Sequence, residues 1–320
     1  MPETRPTEIS VVVPSYNHAR FVERCLRSIF NQTFPPKELL VIDDGSSDNS
    51  TALIEQVLAA CPFPSKLISN KNKGLCSSLN EGLSKTSGDY FAYLGSDDIW
   101  FPGFLAGRRR MLDSRPGAVL AYGHAYLIDE TDTVVESTED WRNFSFPDGD
   151  PRTMLYMGTA PVSSTVVYRR SAIEKIGWNT DAKLEDYELY LHLAEAGEFA
   201  FDDSVLAAWR MHGHNTSRDL EFMLRECLAA QETVGKRLGW DREKLGSIKR
   251  NTRFFFGEEF ERKGSKTKAA SLILKNLAGA PSPKILARAL ARLVLPHSVL
   301  ATRRASNRAR SAEKYGIIKV

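Results

Sequence analysis

The sequence predicts an α/β protein: a mostly parallel mixed sheet flanked by helices, continued by a helical extension. Three observations carry this prediction. Over the first hundred residues, short apolar runs alternate with stretches of helical periodicity, as successive βαβ units require. Acidic pairs stand at or just after the ends of two of those runs, Asp43-Asp44 and Asp97-Asp98. From Arg218 onward the pattern is almost entirely helical.

The elements follow in order. Ile9 to Val13 is apolar except for Ser10 and rich in β-branched residues, which suits a strand buried on both faces of a parallel sheet. Pro14-Ser15-Tyr16-Asn17 breaks it, and Phe21, Cys25, Leu26 and Ile29 then share one helix face. Lys37 to Ile42 reads as a second strand and Asp43-Asp44-Gly45-Ser46-Ser47-Asp48 as a turn cluster. Asn49 or Ser50 can cap the next helix, whose apolar residues are Leu53, Ile54, Val57 and Leu58. Lys66 to Ile68 is a third strand, Cys76 to Lys85 a helix, and Tyr90 to Leu94 a fourth strand. The acidic pair Asp97-Asp98 is also compatible with a capped helix start before Ile99-Trp100-Phe101-Pro102.

Beyond residue 115 the order changes. Val119 to Ile128 and Ser163 to Tyr168 read as strands, Leu184 to Ala196 as a helix, and Glu198 to Phe201 and Val205 to Trp209 as two short strands. The polar, poorly periodic stretch from Glu130 to Asp150 is expected to be a mobile loop near the substrate. The expected division is a catalytic domain over residues 1–217 and a helical extension over 218–320.

Composition narrows the class. The chain has 320 residues, 42% hydrophobic and 26% charged, as in an ordinary globular protein. No uncharged apolar run approaches the about 18 residues of a membrane span. The polar first residues lack a signal-peptide core. Cys25, Cys61, Cys76 and Cys227 are scattered, which argues against a zinc or disulfide framework and fits a reducing compartment. A cytoplasmic location is therefore expected.

The net charge of +3 hides an asymmetry, because Glu261 to Val320 hold fourteen Lys/Arg against two acids. Within that tail, Ile285, Leu286, Ala289, Leu290, Leu293 and Val294 form an apolar stripe, with Lys284, Arg288 and Arg292 on another face. Arg303, Arg304, Arg308 and Arg310 follow. Such a helix can lie peripherally on an anionic inner membrane face, or its stripe can pack on the protein or a second subunit. No aromatic-interleaved basic surface points to nucleic acid.

Clustered carboxylates at strand ends suit a hard divalent cation such as Mg²⁺ or Mn²⁺. Open α/β sheets bind ligands beyond the carboxyl ends of their strands.

Five segments in order, Val11-Val12-Val13-Pro14-Ser15-Tyr16-Asn17, Val41-Ile42-Asp43-Asp44-Gly45-Ser46-Ser47-Asp48, Asn72-Lys73-Gly74-Leu75, Ser96-Asp97-Asp98 and Glu185-Asp186-Tyr187-Glu188-Leu189, resemble the family 2 glycosyltransferases of the GT-A fold. The resemblance covers about residues 8 to 217 and implies inverting sugar transfer from a nucleotide-diphosphate donor to a hydroxyl of a glycan or lipid-linked acceptor, as in cell-surface polysaccharide synthesis. It implies that Pro14, Tyr16 and Asp44 line the base pocket, with Asp43 the alternative to Asp44. A carboxylate there can accept the imide N–H of uracil or thymine, favouring a UDP or dTDP donor. Gly74 would permit close backbone approach to the nucleotide, and Lys73 and Asn80 flank it.

The same resemblance makes Asp98 the expected metal ligand and Asp97 the ribose ligand, though their order is open. The family often has a further acid two places before Asp97, where this chain has Gly95. Asp186 is the expected catalytic base and Glu185 its fallback. The Arg210-Met211-His212 segment resembles one in which the histidine reaches the metal or diphosphate and the arginine a phosphate; His214 competes with His212. The missing acid at position 95 supports one alternative, an inactive nucleotide-sugar-binding or scaffolding protein of the same fold.

Overall fold

The computed structural model describes residues 6–141, 144–213, 219–295, 302, 306 and 309–318. Expectations for His214, Arg303, Arg304 and Arg308 therefore lie outside the described residues.

Strands β1 (Ile9–Ser15), β2 (Glu38–Asp43), β3 (Ser65–Ser69) and β4 (Tyr90–Tyr93) alternate with helices α1 (Val22–Phe30), α2 (Ser50–Leu58) and α3 (Leu75–Lys85). Then come β5 (Ile99–Trp100), α4 (Phe104–Ser114), β6 (Ala118–Ile128), β7 (Val134–Ser137), α5 (Arg152–Leu155), β8 (Val167–Arg169), α6 (Arg170–Ile173), α7 (Glu185–Leu193) and β9 (Glu198–Arg210). All nine strands join one mixed sheet in the order β3-β2-β1-β4-β8-β6-β9-β5, with β7 paired to β6.

The pairings determine where the site lies. β1 runs parallel to β2 and β4, β2 to β3, and β6 to β9. β8 runs antiparallel to both β4 and β6. The carboxyl ends of β1, β2, β3, β4, β6 and β9 therefore share one edge of the sheet. Every acidic pair or histidine that follows one of these strands is delivered to that edge.

Two cores hold the sheet between helical layers. Val11 and Val13 pack with α1, α2 and α4 residues such as Leu26, Ile54 and Phe104. Val12 faces the other way, with Leu79 of α3 and Leu189 of α7. That two-sided burial is why Val11, Val12 and Val13 follow without a polar break, and each buried valine contributes about 1.5–3 kcal/mol.

The extension comprises α8 (Leu220–Arg237), α9 (Arg242–Arg262), α10 (Lys266–Lys275) and α11 (Pro283–Val294). Cys227, Ala230 and Val234 of α8 and Phe255 and Phe256 of α9 belong to the same core as Val12 and Tyr187. The stripe of α11 faces inward, where Ile285, Leu286, Leu290 and Leu293 surround Phe254, Ile273 and Ala289. Packing on the protein, the second of the two expectations for this helix, is what the stripe does; Val294 alone of its residues stays largely exposed, at 84%. Among the described residues no helix is long and apolar enough to cross a membrane.

Several local expectations are corrected. Glu198 to Arg210 form one strand, because β9 takes up Asp203 and Ser204 as a bulge opposite Gly123-His124 of β6 rather than turning. Ile99-Trp100 pair with Ala207 and Ala208 as a strand. Ser163–Thr165 form a 3₁₀ turn, and the paired strand is confined to Val167–Arg169. Within the stretch expected to be a loop, Val134–Ser137 pair with β6. Its tip is tied to the chain's end: Thr133 bridges Ile317, and the Ile318 amide donates to the Asp132 carbonyl at 3.0 Å.

Candidate active site

The end of the sheet where the nucleotide was expected is built from three loops laced together. Asn17 adopts a left-handed backbone (φ 54°), which asparagine tolerates better than most residues. Its amide donates to Ser46 Oγ at 2.8 Å, and its side-chain oxygen accepts from the Ser47 amide at 2.8 Å. Asp44 Oδ1 and Oδ2 accept the amides of Lys73 and Gly74 at 3.0 and 2.8 Å, which draws the third loop against the second. Gly45 is required between them: its φ is +82°, and a β-carbon there would stand 2.9 Å from the Asn72 nitrogen.

Asp43 is turned to its own loop and accepts from the Ser46 amide at 3.0 Å and hydroxyl at 2.5 Å. Both aspartates are buried, yet each carboxylate oxygen keeps a second lone pair for a ligand. Tyr16 is 48% exposed beside the partly buried Pro14, leaving an aromatic face open at the end of β1. Lys73 is paired with Glu81, and Asn80 binds the backbone of Trp178, so neither is directed by these contacts at the nucleotide loops.

At the adjoining strand end, Asp97 meets two histidines. Asp97 Oδ2 lies 2.9 Å from His212 Nε2, and Asp97 Oδ1 lies 3.8 Å from His18 Nδ1. The three donor atoms all fall within 4.8 Å of one another. That is close to the roughly 4 Å across a coordination sphere with bonds of about 2.0–2.2 Å, and a carboxylate with two imidazoles is an ordinary donor set for divalent first-row metals. The residues therefore fit a divalent metal. Phe21 stacks on His212 at 5.8 Å, and Ser96 Oγ sits 2.7 Å from His18 Nδ1.

Burial would raise the Asp97 carboxyl, but the hydrogen bond from His212 and the charge of His18 outweigh it and hold Asp97 below its usual value. Burial, aggravated by Asp97, pushes Asp98 well above the usual carboxylate range. Asp98 Oδ1 accepts the Arg210 amide at 2.8 Å. Expected as the metal ligand, Asp98 is thus an inward brace here, and Asp97 faces the histidines. A β-carbon at Gly95 would lie 3.0 Å from Asp97 Oδ1 and 3.3 Å from Asp98 Oδ2, so the missing side chain leaves room for both tips.

Arg210, expected at a phosphate, is instead 1% exposed. Its guanidinium donates to the carbonyls of Asp97 and Asp129 at 2.8 and 2.7 Å and to Asp132 Oδ1 at 2.5 Å. Placed inside the sheet end, it fixes the acidic loop from behind.

The third part is the first turn of α7. Asp186 Oδ1 accepts a hydrogen bond from the hydroxyl of Tyr93, the last residue of β4. Burial raises Asp186 to about 6, against the opposing effects of Tyr93, Trp178 and Ser163. Burial and the neighbouring Asp186 charge raise Glu185 to about 8. The pair thus titrates together, with Asp186 the more acidic and a suitable base near neutrality. Tyr93 precedes Asp97 by four residues, so Asp186 and the Asp97 cluster are anchored on the same strand end.

Sequence reasoning missed His18, Tyr93, Trp178 and Ser163. His18 could have been noticed as a metal-binding side chain just after the first strand, where a parallel sheet presents its ligands. No sequence signal marks the other three, which act through tertiary contacts.

A curled mixed sheet with nucleotide-side loops, an acidic strand end and a carboxylate-bearing helix defines the GT-A class of glycosyltransferases. The family model described as Glycosyl transferase family 2 matches residues 10–177, and the chain belongs to that family. It is a glycosyltransferase. An uncharacterized glycosyltransferase of Nostoc sp. is 29% identical over 65% of this chain and 66% of its own length. Chondroitin synthase of Escherichia coli is 27% identical over 65% of this chain, which spans only 30% of that longer protein. Among solved structures, the fold is shared with the mannosyltransferase PcManGT from Pyrobaculum calidifontis in complex with GDP-Man and Mn²⁺ (TM-score 0.61, 18% identity, 97% of this chain and 87% of that one). It is also shared with S. aureus TarS 1–349 in complex with UDP-GlcNAc (TM-score 0.57, 14% identity, 96% and 91%).

Proposed function

We propose that this protein is a metal-dependent, inverting glycosyltransferase that moves a sugar from a uridine or thymidine diphosphate donor to a hydroxyl of a glycan or lipid-linked acceptor. The observation that carries the reading is the convergence of Tyr16, Asp44, Asp97, His212 and Asp186 on one edge of the sheet.

In this reading Tyr16 stacks on the base and Asp44 accepts its imide N–H. Asp97, His212 and His18 would hold the cation, which would supply charge neutralisation for the departing diphosphate. Asp186 takes the proton of the acceptor hydroxyl as that oxygen bonds to the anomeric carbon. The nucleoside diphosphate leaves from the opposite face, so the anomeric configuration inverts. Arg210 and Asp98 keep the acidic loop in place.

The similarity to chondroitin synthase supports a role in cell-surface polysaccharide synthesis. Four unpaired cysteines support a cytoplasmic setting. With the α11 stripe packed inward, attraction to an anionic membrane rests on the basic residues of the tail. Vesicle sedimentation with and without anionic lipid tests that part.

A thermal-shift panel of nucleotide sugars with Mn²⁺ tests the donor assignment. UDP- or dTDP-sugars should raise the melting temperature selectively. A shift confined to guanosine-diphosphate sugars would overturn the base assignment. Transfer should stop in EDTA and return with Mn²⁺ or Mg²⁺; undiminished transfer in EDTA refutes the metal role.

A further inference from the structure

We propose that Tyr93 is the positioning residue for the catalytic base: its hydroxyl fixes the heading of the Asp186 carboxylate toward the acceptor. This rests on the reading of Asp186 given above.

Three observations support it. First, Tyr93 is buried, and its hydroxyl donates to Asp186 Oδ1. Anchoring one oxygen stops rotation of the carboxylate and gives Oδ2 a defined direction.

Second, the Tyr93 ring cannot swing. It stacks on Tyr168 with centroids 6.4 Å apart and planes 7° apart, and meets Trp178 edge-on at 6.0 Å. Tyr168 in turn stacks on Tyr190 at 6.3 Å, their hydroxyls 3.1 Å apart. Trp178 is clamped at its backbone by Asn80, which accepts its N–H at 2.9 Å and donates to its carbonyl at 2.7 Å. The cage is thus assembled from β4, β8, α7, the loop before α7 and α3.

Third, the environment opposes itself usefully. Burial favours the neutral acid, while a donated hydrogen bond favours the ionised base. The indole of Trp178 and the hydroxyl of Ser163 act in the same sense as Tyr93, although the indole N–H forms no complete hydrogen bond. The titratable groups facing Asp186 are Tyr93 of β4, Tyr168 of β8, Cys76 of α3, and Glu185 and Tyr190 of α7. The three tyrosines are pushed well above their usual range and Cys76 to about 12, so only the Asp186–Glu185 pair titrates near neutrality.

The test is the pH dependence of kcat/KM for sugar transfer by the full-length protein with Mn²⁺, compared among wild type, Tyr93→Phe and Tyr168→Phe. Tyr93→Phe keeps the stacked ring and removes only the donor. Its ascending limb should move to higher pH by about one unit or more, the worth of a hydrogen bond to a charged group. Its KM for the nucleotide sugar should hold, and Tyr168→Phe should leave the limb in place. An unmoved limb in folded Tyr93→Phe overturns the proposal, because a residue that only fills space would not set it.

If Tyr93→Phe does not fold, 3,5-difluorotyrosine at position 93 retains ring and hydroxyl and strengthens the donor. The limb should then move to lower pH, and a stationary limb again overturns the proposal. Asp186→Asn separates this from the underlying reading: near-normal transfer by that variant discards Asp186 as the base, whereas loss of transfer there with an unmoved limb in Tyr93→Phe discards only the role of Tyr93.

Discussion

Asp97 and His212 lie 115 residues apart in the chain, yet Asp97 Oδ2 and His212 Nε2 approach to 2.9 Å. The parallel alignment of β6 with β9, and its relation to β4 through β8, brings the ends of two distant strands to one sheet edge. His18 arrives at the same place from β1, with its ring centroid 5.7 Å from that of His212. This convergence makes the loops after three strands a single candidate metal site.

Removing a member of that site should show directly in Mn²⁺ affinity. His212→Ala and Asp97→Ala should each weaken Mn²⁺ binding by more than the about 10–100-fold typical of residues behind the ligands. His18→Ala should do so as well. Calorimetric titration of Mn²⁺ in the presence of UDP measures this, and unchanged affinity in all three variants would discard the cluster as a metal site.

Arg210→Ala should be costly to the fold before it is costly to chemistry. The change leaves Asp132 with Arg24 but without its second, buried guanidinium partner, and strips the carbonyls of Asp97 and Asp129 of their donor. Breaking a buried ion pair from one side typically costs about 3–5 kcal/mol when the remaining charge is uncompensated, and the retained Arg24 pair places this variant at or below the lower end. Urea unfolding should register that loss, and a variant as stable as wild type would argue for an exposed, phosphate-facing arginine instead.

Transfer should rise with pH through about 6, where Asp186 loses its proton. Initial-rate measurements at saturating donor and Mn²⁺ from pH 5 to 8 test this. A flat profile would point to a base other than Asp186.

Stability should change in the opposite sense. The Asp186 carboxyl is raised by the fold, so the folded state holds more protons than the unfolded chain between about pH 4 and 6. Stability conferred by the protonated form is complete below that window and falls as pH rises through it. Asp186→Asn removes the buried charge and should stabilise the protein at pH 7 by roughly 1–3 kcal/mol while vanishing from the pH dependence. Chemical denaturation at pH 4 and 7 provides the comparison, and a destabilised asparagine variant at pH 7 would contradict it.

The parallel half of the fold was legible because Val11 to Val13 and Leu39 to Ile42 are buried on both faces, and near-continuous apolar runs of this length suit strands inside a parallel sheet. The antiparallel half was less so. Asp202-Asp203-Ser204 looks like a turn, but Asp202 is drawn to the buried Arg108 at 2.6 Å, and the strand continues past it. Ile99-Trp100 is too short to carry periodicity, and its pairing with β9 is decided at a distance.

In the site, motif residues could be listed but their orientation could not. Adjacent Asp97 and Asp98 are alike in sequence, and only the amide and guanidinium of Arg210 separate an outward carboxylate from an inward one. Tyr93 reads as an ordinary strand residue until α7 packs against it and presents Asp186.

The most direct measurement compares Asp186→Asn with wild type for both sugar transfer and binding of the donor with Mn²⁺. The account predicts that donor binding survives while transfer falls by about 10²–10⁴-fold, the usual contribution of a general base. Transfer at near wild-type rate by a folded, donor-binding Asp186→Asn protein would contradict it.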